Sequence, residues 1–294
     1  MKTRALLIVL VLLAACTGGG SHYERGLAAF EAGDLRTARV ELMNAIQSDP
    51  ANGAARVMQA QVLLALGDGV GAEAEIARAR RSGIATEETR HLFAHARLLQ
   101  NDAPGALNEL ADVPDAHAAY ATRIRARALA ALGDPAAGAE FDRALRLGPE
   151  DSYIHSDVAR FRRSNGDIAG ALQAVDRALA LRSTNSEALL LRGELTRSQY
   201  GLASALPWFD RALEVDPGNV SALLERAITY GDMGRMRDML ADARAAHRLN
   251  GGTHATAFYL QAVLAARARD FELARAIYNR TNGAFAASPA GMLL

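Results

Sequence analysis

The chain has 294 residues, sets 33 lysines and arginines against 33 aspartates and glutamates, and contains one cysteine. That charge balance offers no basic surface for nucleic acid, and a lone thiol excludes a disulfide scaffold. Aromatic residues make up 5 % of the chain while alanine and leucine dominate, the composition of helices that approach closely through small side chains.

Lys2 and Arg4 precede an unbroken apolar run, "ALLIVLVLLAA", over residues 5–15. The run falls short of the roughly 20 residues that a membrane-spanning helix needs. A positive head, a short apolar stretch and small residues at its end read as a secretory signal peptide over 1–15. Leu13-Ala14-Ala15-Cys16 resembles the lipobox of bacterial lipoproteins. The resemblance implies cleavage before Cys16, a thioether to diacylglycerol and acylation of the new amine; the alternative is a plain signal peptide with an incidental cysteine. At about 0.8 kcal/mol per buried CH₂, the three chains of such an anchor hold the protein lastingly at a membrane. Thr17 stands where the enterobacterial sorting rule places an inner-membrane Asp, which implies the outer membrane, with the protein facing the periplasm. Residues 16–21 form a Gly-rich tether reaching only about 12 Å. Without Lys2 and Arg4, 31 basic residues remain against 33 acidic ones.

From residue 22 the chain repeats itself. "GDLRTARVELMNAIQSDP" (33–50), "GDGVGAEAEIARARRSGI" (67–84), "NDAPGALNELADV" (101–113), "GDPAAGAEFDRALRLGP" (133–149), "GDIAGALQAVDRALALRS" (166–183) and "GLASALPWFDRALEVDP" (201–217) each open with a turn and continue as an Ala/Leu-rich helix. One small-residue series runs Ala38, Ala72, Ala106, Ala137, Ala171, Ala205, Met239, Ala274, spaced by 34 except for single gaps of 31 and 35. Seven positions later follow Ala45, Ala79, Val113, Ala144, Ala178, Ala212, Ala246 and Thr281. Twelve positions before the first series lie Gly26, Ala60, Ala94, Ala159, Gly193, Ala227 and Ala262, with Ala126 one place out of step in the fourth repeat, where the turn is shortened. This pattern is similar to the tetratricopeptide repeat. Pro50, Pro149 and Pro217 stand at its closing proline, Phe141, Phe209 and Tyr278 at its large second-helix position, and Tyr230 at its first-helix aromatic; its tryptophan is replaced by Leu189, Leu223 and Phe258. The resemblance implies an all-α, right-handed solenoid of about eight helix–turn–helix repeats over 22–283, with one core shared between neighbours. Residues 284–294 read as the start of a further, truncated repeat, or as a tail folded over the end.

Motifs for chemistry are missing. His91 and His95 lie four apart on one predicted helix, but neither a cysteine nor an H-E-x-x-H pattern accompanies them, and His117 is distant. "SNGDIAG" (164–170) is an interhelical turn with no strand before it, and "TGGGS" lacks a phosphate loop's Lys-Ser/Thr. The expectation is a protein without catalytic residues, metal or cofactor.

In the tetratricopeptide family the first helix of each repeat lines a concave groove. Carrying that register over gives Tyr23, Leu27 and Phe30; His91 and His95; Arg123 and Arg127; Tyr153, Arg160 and Arg163; Glu194 and Arg197, beside Glu187; and Tyr259. Arg123, Arg127, Arg160 and Arg163 then make either a positive floor for an acidic peptide or anionic polysaccharide, or cations already paired with acids such as Asp157 and Glu194. Beyond the repeat, "VMQAQVLLALGDGVGAEAEIARARRSGI" and "LLQNDAPGALNEL" resemble the tetratricopeptide lipoproteins of exopolysaccharide/PEP-CTERM export systems. That resemblance implies a scaffold for protein partners of the cell envelope. A pilotin-like helper, a cell-wall-enzyme adaptor and direct binding of a polysaccharide are the alternatives.

Overall fold

The computed structural model describes residues 20–249, 258, 261–263, 265–266 and 270–279. Cys16 and the signal peptide, Tyr259, Thr281 and residues 284–294 lie outside them, as does the side chain of Tyr278. Among the described residues the chain is helical without strands, in successive antiparallel pairs. These are α1 (His22–Ala32) with α2 (Leu35–Ser48), α3 (Gly53–Ala65) with α4 (Gly69–Arg81), and α5 (Arg90–Leu99) with α6 (Ala103–Glu109). Next come α7 (Ala118–Ala131) with α8 (Ala137–Leu147), α9 (Ser152–Ser164) with α10 (Ile168–Leu181), and α11 (Ser186–Tyr200) with α12 (Leu202–Val215). The series closes on α13 (Val220–Asp232) with α14 (Met236–Leu249), and then α15 (Phe271–Asn279).

The recurring Gly-Asp dipeptide explains the turn inside each pair. Gly33, Gly67, Gly133 and Gly166 adopt positive φ, the left-handed geometry that ends a helix cheaply only without a Cβ. Asn101 takes the same conformation in the third repeat. The aspartate after it caps the second helix: Asp34 accepts the Thr37 N–H at 3.0 Å, Asp68 that of Gly71 at 2.8 Å, Asp102 that of Gly105 at 2.9 Å and Asp167 that of Gly170 at 2.8 Å. Between pairs, Asn52, Asp151, Asn185 and Asn219 cap the next first helix in the same way.

Packing follows the three small-residue series. Ala38, Ala72, Ala106, Ala171 and Ala205 are fully enclosed, as are Ala60, Ala94, Ala126, Ala159 and Ala227. At Gly193 an added Cβ would sit 2.5 Å from Phe209 Cε1, and at Gly26 one would sit 2.7 Å from Leu42 Cγ. Glycine is therefore what lets α11 and α1 lie against their partner helices.

The irregular fourth repeat divides into two causes. Two residues are lost after Ala106, where α6 stops after seven residues and a 3₁₀ turn, Asp115–His117, leads into α7. One more is lost between Ala126 and Ala137, and there Asp134 accepts the Ala136 N–H instead of one a residue further on. The expected short turn is thus only a third of the slip; the truncated α6 supplies the rest.

The rod also meets itself. Arg182, in the turn before α11, donates from Nη2 to the Glu31 carbonyl at the end of α1 at 3.1 Å. A Cβ on Gly33 would lie 3.3 Å from Arg182 and 3.8 Å from Thr184 Oγ1.

Candidate functional site

This self-contact closes the concave side around a cavity of about 480 Å³. Phe30, Leu35, His91, Tyr120 and Tyr153 line it together with the charged Glu187, Arg182 and Asp216. The volume is that of a site for a small molecule or a few side chains. Phe30, His91, His95, Arg123 and Tyr153, all placed in the groove by sequence register, line it. Tyr23 lines a neighbouring recess of about 330 Å³ with Met58, Ile84 and His117. Leu27 is half-buried on α1 and borders neither.

The arginines do not form a free positive floor. Each meets an acid on the next first helix, so the concave side carries a ladder of ion pairs. Arg123 on α7 donates from Nε to Asp157 on α9 at 2.5 Å, with both side chains enclosed. Arg127 stands 3.8 Å from the same carboxylate. Arg160 lies 3.8 Å from Glu187, and Arg163 donates to Glu194. Arg197 continues the series, donating to Glu225 at 2.6 Å and to Thr229 Oγ1 at 3.1 Å. Burial alone works to raise the Asp157 carboxyl pKa, but Arg123, Arg127 and Arg160 hold it below its ordinary value. Burial works against the Arg123 charge, and Asp157, Tyr120 and Glu187 together more than offset it.

His91 and His95 turn to different partners. His91 stacks on His117 with ring centroids 3.9 Å apart, and its Nδ1 is enclosed without a hydrogen bond. Burial, reinforced by His117, pushes its pKa down to about 3. Arg127 Nη1 donates to His95 Nε2 at 3.0 Å, so His95 is neutral and carries its proton on Nδ1, which donates to Tyr120 Oη at 2.6 Å. Burial first, then Arg127 and Arg123, hold His95 well below its ordinary pKa. Burial pushes the Tyr120 hydroxyl up to about 12 and raises that of Tyr153. The cavity is thus ring-walled, its His91 and His95 imidazoles are uncharged, and Arg123 beside them is matched by Asp157.

Sequence register missed Tyr120, Arg182 and Asp216. Tyr120 sits at the slipped start of α7. Arg182 and Asp216 reach the cavity only because repeat one folds back on repeats five and six.

Two family models described as tetratricopeptide repeat match residues 29–83 and 159–220. No curated protein sequence matches the chain. Among solved structures, a chain of the APC/C hetero-tetramer Cut9–Hcn1 superposes with a TM-score of 0.70 at 14 % identity, covering 91 % of this chain and 53 % of that one, so this chain spans about half its length. PilF of Pseudomonas aeruginosa superposes with a TM-score of 0.57 at 17 % identity, covering 71 % of this chain and 96 % of that one. The fold is a tetratricopeptide α-solenoid, an architecture that serves as a protein-interaction scaffold.

Proposed function

We propose that the protein is a lipid-anchored scaffold of the outer membrane, facing the periplasm, that holds a protein partner of an envelope export or assembly system such as exopolysaccharide/PEP-CTERM secretion. The observation that carries the reading is the convergence of first-helix side chains from repeats one to five, Phe30 to Tyr153, on one concave cavity. The anchor rests on the residues around Cys16, and the short tether would keep the solenoid beside the bilayer. The APC/C relative assembles with another protein, in its case Hcn1. An anionic polysaccharide is a poorer occupant, because the ladder from Arg123 to Arg197 leaves no row of free guanidinium groups to grip it.

A photo-crosslinking amino acid at Tyr153 in the full chain, expressed in its own cells, tests the scaffold. The expected product is a discrete protein adduct that a crosslinker at exposed Val70 does not give. Labelled fatty acid should enter the wild type but not Cys16→Ser, which should leave the membrane fraction. Absence of any protein adduct would overturn the scaffold reading, and unlabelled, membrane-retained protein would overturn the anchor.

A further inference from the structure

The cavity does not carry the charge of a free positive floor. With Arg123 matched by Asp157, His91 and His95 neutral, and His117 Nε2 set 3.0 Å from Glu88, the charged groups left facing the space are Asp151, Glu187, Asp216 and Arg182. The Asp216 carboxylate accepts the Gly218 N–H at 3.0 Å and stands in no ion pair among the described residues, with Arg36 acting on it only from beyond contact. Glu187 has its nearest cation, Arg160, at 3.8 Å, and its Oε2 is enclosed without a hydrogen bond. Asp151 uses one oxygen, Oδ1, to cap α9. Against these three carboxylates stands Arg182, one of whose nitrogens donates to the Glu31 carbonyl.

Two further observations point the same way. His91 is only 5 % exposed, lines the cavity and has an unpartnered Nδ1, a polar group that a buried site normally satisfies with a ligand or water. The aromatic walls also already accept guanidinium groups at their faces: Arg123 stands 5.3 Å from the Tyr153 ring and 5.8 Å from Tyr120, and Arg182 stands 5.8 Å from Tyr153. Phe30, which also lines the cavity, carries no such cation among the described residues. Rings beside carboxylates form a receptor for a cation on a long apolar stem.

We infer that the cavity receives a single lysine or arginine side chain of the partner protein, its charged end between Glu187 and Asp216 and its stem against Phe30 and Tyr153. This deepens the scaffold reading and rests on it. The turn at Gly33 closes on Arg182 and Thr184 at one side of the cavity.

The test titrates the full chain in detergent micelles, by calorimetry, with acetyl-Ala-Ala-Arg-Ala-Ala-amide, its lysine counterpart and its glutamate counterpart. The basic peptides should bind at least about ten-fold more tightly than the acidic one. Combining Glu187→Gln with Asp216→Asn should remove about ten-fold of that affinity while the circular dichroism stays unchanged. Tighter or equal binding of the glutamate peptide, no binding by any peptide, or basic-peptide affinity untouched by the double variant would each overturn the inference. Because these peptides are synthetic, that failure leaves the crosslinking result standing. Conversely, peptide binding without any protein adduct in cells would reject the scaffold alone.

Discussion

Asp157→Leu is the sharpest probe of the ladder. Asp157 is 2 % exposed and Arg123 4 %, so the substitution strands a guanidinium that water cannot reach. It also removes the anion 3.8 Å from Arg127. Breaking one side of such a pair costs about 3–5 kcal/mol, whereas replacing both sides by apolar groups is about neutral or stabilising. Asp157→Leu should therefore lower stability by about 3–5 kcal/mol, and Arg123→Met with Asp157→Leu should recover most of it. Because a solenoid loses stability locally, the damage should sit at the junction of repeats four and five. Urea unfolding followed by hydrogen exchange resolved by segment is the assay. Amides of α7 and α9 should exchange faster in the single variant, while those of α13 and α14 keep their protection. The carboxyl lies below its ordinary value of 3.8, so the pair contributes fully above that pH and is lost as acid titrates below it. A single-variant loss under about 1 kcal/mol, or a double variant no better than the single, would show that Arg123 is not isolated from water as described.

Burial and packing elsewhere in the solenoid set three other expectations. Burial keeps His91 neutral down to about pH 3, so folding refuses a proton that the unfolded chain accepts below about 6.5. Stability should thus be full above that pH and fall with acid by up to about 1.4 kcal/mol per pH unit, with His91→Gln flattening the slope in stability measured against pH. Gly193→Ala drives a Cβ into the fully buried Phe209 ring and should cost about 1–3 kcal/mol by denaturant titration, whereas Gly231→Ala meets only the flexible Met239 thioether at 2.6 Å and should be near neutral; the reverse order would contradict the packing. Asn185→Ala removes the cap on Ala188 and donors to Ser152 Oγ at 2.7 Å and Ser156 Oγ at 3.0 Å, for an expected loss of about 2–3 kcal/mol, with Asn185→Asp intermediate because it keeps the cap. A melt of Asn185→Ala indistinguishable from wild type would refute that network.

The fold was legible because its determinants are local and recur. A Gly-Asp turn and three alanine positions, repeated every 34 residues, state which face of each helix must be small, and Ala38 to Ala205 are buried as that pattern requires. The candidate site was legible only in part. Register placed Phe30, His91, His95, Arg123 and Tyr153 on the concave side, because helical phase alone decides that. The same register left the arginines open between a free floor and a paired one. Pairing won because each arginine has an acid close to one repeat downstream on the neighbouring first helix: Asp157 for Arg123, Glu194 for Arg163, Glu225 for Arg197. Where the period slips, the phase slips with it, and Tyr120 went unseen.

Closure was not legible at all, and it decides what the site can hold. In a solenoid each repeat touches its neighbours, and the superhelical pitch is the sum of small rotations that no single motif encodes. The Arg182–Glu31 contact joins residues 151 positions apart and exists only because those rotations bring repeat one back to the turn between repeats five and six. That return brings Asp216 and Arg182 into the same cavity as Phe30, and it narrows an open groove to that cavity. The ladder spends the arginines on fixing neighbouring helices, so charge on the floor serves stiffness rather than capture. Selectivity then passes to the charged groups outside the ladder or at its loosest rung, Asp151, Asp216 and Glu187 against Arg182. A partner chosen by this surface is therefore chosen by where the chain meets itself.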